Sequence, residues 1–449
     1  ALLKALRIAA GSFLQAIAGP PPTMSSKDHR IIGSNPLADL ARECRIQTEA
    51  TIIGPNHKEQ TLSWEKYKLN PFEGSEIKAL GKPDIQKLSG QIYDAVVEHK
   101  TGILPLLSFI GTEYIHLSPL GLPKPDLDGS ALQGYWACLE ERSMEDYVFS
   151  WLSHMDKLST EKQYKSNAAD FYGDLPEISL QVFNKTVSAL LPDIVHTEWI
   201  QDPVIRGENA KNSKILTFKM RNGDIRTYDM LSDGYRYLVL LAGELSTRAL
   251  LLNKHLGLKV CEEITGIVLI DEFGIHLHPG FQKDSLKRLS DAFPNVQFFI
   301  STHSPMLVNG LKKEQIHILE IDEESGARTH RYLEQDVIGL GAEGILLEVF
   351  GLKTTFDTET ETRLKRYKTL TQKRLTSSLN EDEVKEYAQL AEQVSTIGYE
   401  RSESDPLYEQ LIKKIDSEHA KRPKRSISKQ EADEIAKKAI ESLFGENSL

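Results

Sequence analysis

Three side chains stand where they could act together on a phosphate ester. Asp271 and Glu272 follow the apolar stretch 266–270, and His303 comes shortly after the apolar stretch 296–300. A carboxylate at the tip of a buried strand can hold Mg²⁺ through water, because this ion prefers oxygen ligands and keeps part of its hydration shell. The adjacent carboxylate could deprotonate a water that attacks a γ-phosphate, and the imidazole could donate a hydrogen bond to that phosphate. The sequence therefore predicts Asp271 as a metal ligand, Glu272 as a general base and His303 as a phosphate sensor.

The elements around these residues predict that they share one sheet edge. Strands are expected at 266–270 and 296–300, with a helix from about 280 to 293 between them. Strand, helix, strand is the order of a parallel βαβ unit, whose strands end at the same edge, and ligands bind at that edge in open α/β sheets. An apolar run that ends in Asp-Glu is also typical of an ordinary buried strand that reaches water, so this alternative stays open.

A third cluster, the Leu-Ser-Asp-Gly-Tyr-Arg segment at 231–236, opens a long helix predicted from about 232 to 253. Ser232 and Gly234 would leave backbone N–H groups pointing outward at the positive end of the helix dipole, which is an anion site. The alternative is an ordinary serine cap with a glycine tolerated in the first turn.

In this order the clusters resemble the motifs of the ABC-type ATPases of the SMC, Rad50 and RecF kind, and within them the overcoming-lysogenisation-defect and bacterial defence ATPases. Segment 231–236 resembles the signature motif and 267–272 the Walker B strand. Segment 275–279 resembles the D-loop and 301–305 the switch-histidine loop. The resemblance covers most of residues 1–350.

In that family, ATP is held between the Walker A loop of one subunit and the signature helix of another. The resemblance therefore implies ATP and Mg²⁺ as cofactors and a chain that forms a dimer or higher oligomer with itself. It implies that Glu272 and His303 are the catalytic residues and that Asp271 binds Mg²⁺ through water. It further implies that the D-loop contributes Leu277 and His278, and that ATP on a partner copy is bound by Leu231, Ser232, Asp233, Gly234 and Arg236.

The Walker A pattern G-x-x-x-x-G-K-[ST] does not occur in these 449 residues. Segment 74–83 comes nearest but has proline where Ser or Thr must ligate Mg²⁺. Residues 1–6 resemble the helix that directly follows a Walker A loop, so we expect a P-loop upstream of residue 1. The alternative is a nucleotide-free pseudo-ATPase. Segment 108–114 lies about where a Tyr-Gly-x-x-Arg element often occurs in relatives, but it lacks the arginine, and the glutamine loop is not assigned.

Two other chemistries find less support. His276 and His278 are spaced i, i+2 without a nearby acidic partner, so loop residues are a better interpretation than a zinc site. After His303 the sequence has neither the Asp-x-Asp of a Toprim nuclease nor a His-Asn-His pattern. We therefore expect no nuclease site in this chain.

Segment 338–351 and the charged segments after it resemble the tail of the PtuA ATPases of Septu anti-phage systems, which also accompany some retrons. Segment 134–151 is similar to the helical lobe of that group. The resemblance implies a cytoplasmic ATPase that holds an HNH nuclease of the PtuB kind and, in a retron, contacts the reverse transcriptase and its msDNA. Two alternatives remain: a DNA-repair ATPase of the RecF or Rad50 kind that clamps DNA directly, and a non-hydrolysing scaffold.

The amino-acid composition excludes several classes of protein. The 54 basic and 65 acidic residues give a formal net charge of −11, which excludes a polycation that coats nucleic acid. Three widely spaced cysteines support neither a disulfide framework nor a metal site and favour a reducing compartment. No apolar run approaches the roughly 18 residues of a membrane helix.

The expected fold class is α/β: an ABC-ATPase head with a mixed β-sheet core, an inserted helical lobe and a C-terminal helical extension. We assign residues 1–350 to the ATPase domain, with the helical lobe at about 126–192. Residues 351–449 would form a C-terminal helical interaction domain.

Overall fold

The computed structural model describes residues 2–15, 17–18, 44–54, 58–68, 77–99, 102–112, 114, 130–141, 144–164, 173–203, 214–321, 328–376 and 379–396. The chain folds as two compact units. The first comprises Ala1–His317 and Glu334–Ala342, and the second comprises Ile318–Leu333 and Glu343–Leu449. The domain boundary predicted at residue 350 remains a proposal.

The first unit contains both helices and strands. Its helices are α1 Leu2–Leu14, α2 Lys82–His99, α3 Glu145–Tyr164, α4 Leu175–Leu190, α5 Asp233–Leu252, α6 Val260–Glu263, α7 Pro279–Ala292 and α8 Pro305–Val308. Its strands are β1 Cys44–Ile53, β2 Glu59–Lys68, β3 Ile77–Leu80, β4 Leu106–Ile110, β5 Ile194–Gln201, β6 Lys214–Met220, β7 Ile225–Thr227, β8 Gly266–Ile270 and β9 Val296–Ile300. Short 3₁₀ helices lie at Ala131–Tyr135, Tyr228–Met230, Lys254–Lys259 and Lys313–Gln315.

A parallel sheet with the order β4-β8-β9 carries the site. β8 pairs in parallel with β4 on one side and with β9 on the other, from Gly266 to Ile270. Both β8 and β9 have the predicted bounds, and α7 forms the crossover between them. The predicted βαβ unit is therefore confirmed, and residues 271–272 and 301–303 follow neighbouring strands at one edge.

The first residue of β8 must be small. A Cβ added to Gly266 would lie 2.1 Å from the carbonyl oxygen of Leu106 on β4. Any larger residue would push the two strands apart, so the glycine permits the close pairing with which the central strand begins.

Helix α5 is buried on almost every side from Tyr237 to Leu252. It packs against α3 and α4, which with the 3₁₀ helix Ala131–Tyr135 form the described part of the expected helical lobe. The contact with α3 is tight, since a Cβ on Gly243 would lie 2.5 Å from Val148. A mainly apolar helix that is buried on all sides is stable only inside a core, and this burial fixes the position of its N-terminus.

Antiparallel sheets β1-β2-β3 and β5-β6-β7 complete the first unit. β6 and β7 form a hairpin that turns at Asn222-Gly223, a pair typical of two-residue loops with positive φ at both positions, but the conformation differs from that type. Gly223 has a φ of 92°, whereas Asn222 stays on the negative side. The reason is a three-residue loop in which Gly223 N–H donates to Met220 C=O at 2.9 Å and Asp224 N–H donates to Asn222 Oδ1 at 3.1 Å.

The second unit contains the two-stranded sheet β10 His317–Ile321 and β11 Arg328–Tyr332 and the helices α9 Ala342–Glu348, α10 Thr358–Thr376 and α11 Glu381–Thr396. Helices α10 and α11 pair through an ion pair between Arg366 and Glu386 at 2.7 Å and through the stacked rings of Tyr367 and Tyr387. The remainder of the expected C-terminal domain, 397–449, lies outside the described residues.

Two further observations concern the described part of the chain. None of Cys44, Cys138 and Cys261 forms a disulfide bond there. None of its helices is both long enough and apolar enough to cross a membrane.

Candidate functional site

The structure brings Asp271, Glu272 and His303 together at the carboxyl edge of the parallel sheet. Backbone hydrogen bonds extend the ladder beyond the strands, with Asp271 N–H donating to Ile110 C=O at 2.8 Å and Ser301 N–H donating to Ile270 C=O at 3.0 Å. These bonds align the chain ends that carry the acidic pair and the histidine. His303 Nε2 lies 3.2 Å from Glu272 Oε1. The predicted convergence of these three residues is present, and their chemical roles remain proposals.

Glu272 has a strained backbone. Its φ of 53° lies in the left-handed region. Within the described ranges, Ala137 is the other non-glycine residue with a positive φ. Such a conformation costs on the order of 1–3 kcal/mol and persists only where surrounding contacts impose it. Phe273 N–H donates to Ser301 C=O at 2.9 Å directly after this residue. The chain thus turns sharply out of the sheet at Glu272.

The loop that carries His303 is tied to the segment after Glu272. Thr302 Oγ1 donates to Phe273 C=O at 3.0 Å, and Ser304 Oγ donates to Gln282 Oε1 at 2.6 Å. The amide nitrogen of Gln282 in turn donates to Gly274 C=O at 2.8 Å and to Leu277 C=O at 2.9 Å. Gln282 therefore joins the switch-histidine loop to the D-loop, a role that the sequence did not indicate.

The signature segment opens α5 as predicted. Ser232 occupies the N-cap position and is exposed, but within the described residues its side chain makes no capping hydrogen bond. The ordinary serine cap is therefore not what the structure shows. Asp233 and Arg236 form a partly exposed ion pair at 2.5 Å, which contributes little stability, and Leu231 is buried.

Gly234 is required by a close approach that the sequence analysis did not anticipate. A Cβ at this position would lie 2.7 Å from the carbonyl oxygen of His276 in the D-loop. The signature turn and the D-loop are therefore in contact. Between them lies a cavity of about 430 Å³, lined by Leu191, Ser232, Asp233, Gly234, Tyr235, Leu238, Ile275, His276, Leu277, His278 and Phe281.

The two predicted D-loop residues differ in environment. Leu277 is buried in the core, whereas His278 is exposed and occupies the N-cap of α7. Its Nδ1 accepts a hydrogen bond from Gly280 N–H at 3.2 Å, so this ring nitrogen carries no proton. His278 thus has a structural role as a helix cap.

Tyr235 also links the signature turn to neighbouring elements. Its hydroxyl donates to Asp193 Oδ2 at 2.8 Å, and its ring packs edge-on against Phe281 at the start of α7. Burial and the hydrogen bond to Asp193 raise the pKa of Tyr235 to about 12. The phenol stays neutral at physiological pH and remains a donor.

The protein donors fit a magnesium ion that is held mainly by phosphate and water. Asp271 is half-buried at the sheet edge, and its Oδ1 accepts a hydrogen bond from Ser301 Oγ at 2.5 Å. Mg²⁺ keeps several waters and usually takes only one or two protein carboxylates beside substrate phosphates. In the described ranges, no group of three or more His, Cys, Asp or Glu residues could hold a metal unaided.

A buried ion pair fixes α5 to the sheet. Glu244 and Arg248 are almost fully buried and lie 2.8 Å apart. Glu244 also accepts hydrogen bonds from Ser108 Oγ on β4, at 2.8 Å, and from Tyr114 Oη. Burial and the Glu244 charge hold the pKa of Tyr114 well above its usual value. This network connects the signature helix to the sheet that carries Asp271, and the sequence analysis missed it.

One family model matches the part of the chain that carries the candidate site. Residues 143–309 match the family model described as "AAA domain, putative AbiEii toxin, Type IV TA system". This match spans the signature segment, the Walker B strand and the switch-histidine loop. Over this segment the chain is similar to that family.

Two curated relatives are a retron ATPase and a Septu protein. The chain is 38% identical over 104 residues to the retron Vc95 probable ATPase of Vibrio cholerae serotype O1 biovar El Tor, which covers 23% of this chain and 20% of that protein. It is 36% identical over 126 residues to the Septu protein PtuA of Bacillus mycoides strain KBAB4, which covers 28% of this chain and 17% of that protein. The chain thus spans a fifth or less of the length of these two relatives.

A solved structure with a similar backbone is the Smc head domain from Pyrococcus furiosus, bound there to the C-terminal domain of ScpA. The sequence identity is 13% and the TM-score is 0.41, with 74% of this chain and 88% of that chain covered.

Proposed function

We propose that this chain is the ATP-binding and ATP-hydrolysing subunit of a bacterial anti-phage defence system. The observation that carries the proposal is the pairing of Glu272 with His303 at 3.2 Å on the sheet edge that also holds Asp271. A general base, a phosphate hydrogen-bond donor and a magnesium ligand are the side chains that hydrolysis of a γ-phosphate needs. The similarity to a retron ATPase and a Septu protein supports a role for this chemistry in phage defence.

Each residue performs one step in the proposed reaction. Asp271 holds Mg²⁺ through a water molecule, and the bound ion supplies positive charge that offsets the charge developing on the phosphate oxygens. Glu272 orients the attacking water and accepts its proton. His303 donates a hydrogen bond to the γ-phosphate in the transition state. Both catalytic side chains reach solvent, with 28% of the Glu272 side chain and 85% of the His303 side chain exposed, so substrate can enter.

The second half of the nucleotide site would come from a partner copy. In this proposal, Ser232, Gly234 and the first turn of its α5 bind the ATP held by the other subunit, so nucleotide drives dimers or higher oligomers. The exposed, uncapped start of α5 supports this, because its N–H groups and dipole favour an anion. Leu231, Asp233 and Arg236 would support the turn, and Leu277 and His278 would shape the adjoining D-loop.

The partner proteins follow from the relatives' systems. We propose that the oligomer binds and restrains an HNH nuclease of the PtuB kind and, in a retron, also contacts the reverse transcriptase and its msDNA. The names of the relatives, a Septu PtuA protein and a retron ATPase, support this assignment. Mg²⁺ dependence, the lack of a nuclease site in this chain, and a cytoplasmic location belong to the same proposal.

ATP hydrolysis by the intact protein tests the function. Wild type should release phosphate from ATP in the presence of Mg²⁺, whereas Glu272→Gln should bind ATP and fail to turn it over. Glu263→Gln is the matched control, since this glutamate is exposed and lies before β8, at the opposite end of the strand. Hydrolysis by Glu272→Gln at the wild-type rate would show that Glu272 is not the general base. A wild type without ATPase activity would overturn the proposal.

A further inference from the structure

One side chain outside the proposed catalytic set contacts both acidic residues. Ser301 is the first residue after β9 and lies beside the turn that carries Asp271 and Glu272. Its Oγ donates to Asp271 Oδ1 at 2.5 Å, and the same atom accepts from Glu272 N–H at 2.9 Å. A single hydroxyl therefore bridges the side chain of one acidic residue and the backbone of the next.

The direction of both bonds is fixed by chemistry. An ionised carboxylate can only accept hydrogen bonds, so the hydroxyl proton must point at Asp271. A backbone N–H can only donate, so Glu272 must use a lone pair of the same oxygen. The hydroxyl cannot rotate to another arrangement without losing one of the two bonds.

The backbone of Ser301 holds the same turn from both sides. Its N–H donates to Ile270 C=O at 3.0 Å, and its C=O accepts from Phe273 N–H at 2.9 Å. With the two hydroxyl bonds, Ser301 engages each residue from 270 to 273. These contacts surround Glu272, whose left-handed φ of 53° needs such external support.

We propose that Ser301 is the positioning residue for the general base. Its hydroxyl keeps Glu272 in the left-handed conformation and thereby sets where the carboxylate meets the attacking water, while it orients Asp271 for the metal. This inference rests on the proposed ATP hydrolysis. A displacement of about 1 Å of a reacting group can cost on the order of 100-fold in rate, so a lost backbone anchor beside the base should be measurable.

Steady-state kinetics of the intact protein, at a Mg²⁺ concentration that saturates wild type, test the proposal with wild type and four variants. Ser301→Ala should lower kcat by about tenfold or more and change the KM for ATP by less than about threefold, because binding is kept while the base is displaced. Ser301→Thr retains the hydroxyl and should keep most of the activity. Ser301→Cys keeps the size but has only a weak donor and acceptor, so it should resemble Ser301→Ala.

Ser285→Ala is the matched control, because it deletes a buried serine hydroxyl that bonds only within α7, to Gln282 C=O. It should behave as wild type. Ser301→Ala with a kcat within twofold of wild type would overturn the proposal, and so would activity fully restored by more Mg²⁺, since Ser301 would then act through Asp271 alone. A Thr variant as impaired as the Ala variant would also overturn it. If Ser301→Ala does not fold, Ser301→Cys decides between the same outcomes.

The two proposals fail in different ways. If wild type hydrolyses ATP and Glu272→Gln does not, the proposed function is supported. If Ser301→Ala and Ser301→Cys then both match wild type, the proposed role of Ser301 is wrong. An inert wild type overturns both.

Discussion

His303 Nε2 lies 3.2 Å from Glu272 Oε1, and the two side chains differ greatly in exposure. The imidazole is 85% exposed, whereas the carboxylate is 28% exposed and has a strained, multiply bonded backbone. The histidine can therefore turn from the carboxylate to another acceptor without unpacking the core. In the proposed mechanism, this arrangement would pair a firmly held base with a hydrogen-bond donor that is free to turn.

Removal of this donor should slow turnover more than it weakens binding. We predict that His303→Ala lowers kcat for ATP about 100-fold, with a small change in KM, because the hydrogen bond acts on charge that develops in the transition state. Phosphate-release kinetics measure both constants. His255→Ala is the control, since that ring contacts Gly102 C=O before β4, at the opposite sheet edge. Wild-type turnover in His303→Ala would show that His303 takes no part in hydrolysis.

The contact between the signature turn and the D-loop can be tested at Gly234. Gly234→Ala would place a Cβ 2.7 Å from His276 C=O, so either the turn or the D-loop must shift. We expect a loss of about 1–3 kcal/mol in the free energy of unfolding, which denaturant titration measures. Gly90→Ala provides the contrast, because this glycine lies in α2 with open space around it and should gain about 0.5–1 kcal/mol. A stabilised Gly234→Ala variant would contradict the contact.

The buried pair of Glu244 and Arg248 gives a prediction about stability. Arg248→Met leaves the Glu244 carboxylate buried without its counter-charge, which should cost about 3–5 kcal/mol in the free energy of unfolding. The double variant Glu244→Gln/Arg248→Met should be more stable than the single one, since a neutral amide needs no counter-charge. Thermal or denaturant unfolding of both proteins provides the comparison. Equal stability of the two would show that the unpaired charge is not the source of the loss.

The pKa of Tyr235 predicts a pH dependence. Burial and Asp193 raise this pKa from 10.0 to about 12, so the tyrosine contributes stability that is present below its unfolded pKa and lost as pH rises through the folded value. The difference in phenolate absorbance between wild type and Tyr235→Phe, followed against pH, should show one phenol that ionises near pH 12. Asp193→Asn should lower that midpoint. A midpoint near the ordinary value of 10.0 in wild type would contradict the hydrogen bond.

The sequence predicted the placement of the acidic pair and the histidine because that placement depends on element order. Two short apolar runs, a helix between them and polar residues after each run are sufficient to predict a shared sheet edge. The bounds of β8 and β9 agree with the expectation for the same reason. An apolar run is read from local residues, and both strands end where Asp271 or Ser301 follows.

Other features depend on contacts between distant segments. Ser108 and Glu244 are 136 residues apart in sequence. The residues next to Ser108 in the sequence do not indicate that its hydroxyl donates to a carboxylate. Gly234 could be recognised as part of a motif, but its steric reason lies in the carbonyl of His276. The i, i+4 spacing of Glu244 and Arg248 was the one local signal of the buried network, and it is also typical of ordinary surface ion pairs.

The most direct test of the account is an experimental structure of the intact Glu272→Gln protein with ATP and Mg²⁺. We predict one triphosphate at the carboxyl edge of the parallel sheet, with His303 within hydrogen-bond distance of the γ-phosphate and Asp271 linked to the metal through water. The opposite side of the nucleotide should contact Ser232 at the start of α5 of the partner copy. A nucleotide bound elsewhere, or a His303 that points away from the γ-phosphate, would contradict the central claim.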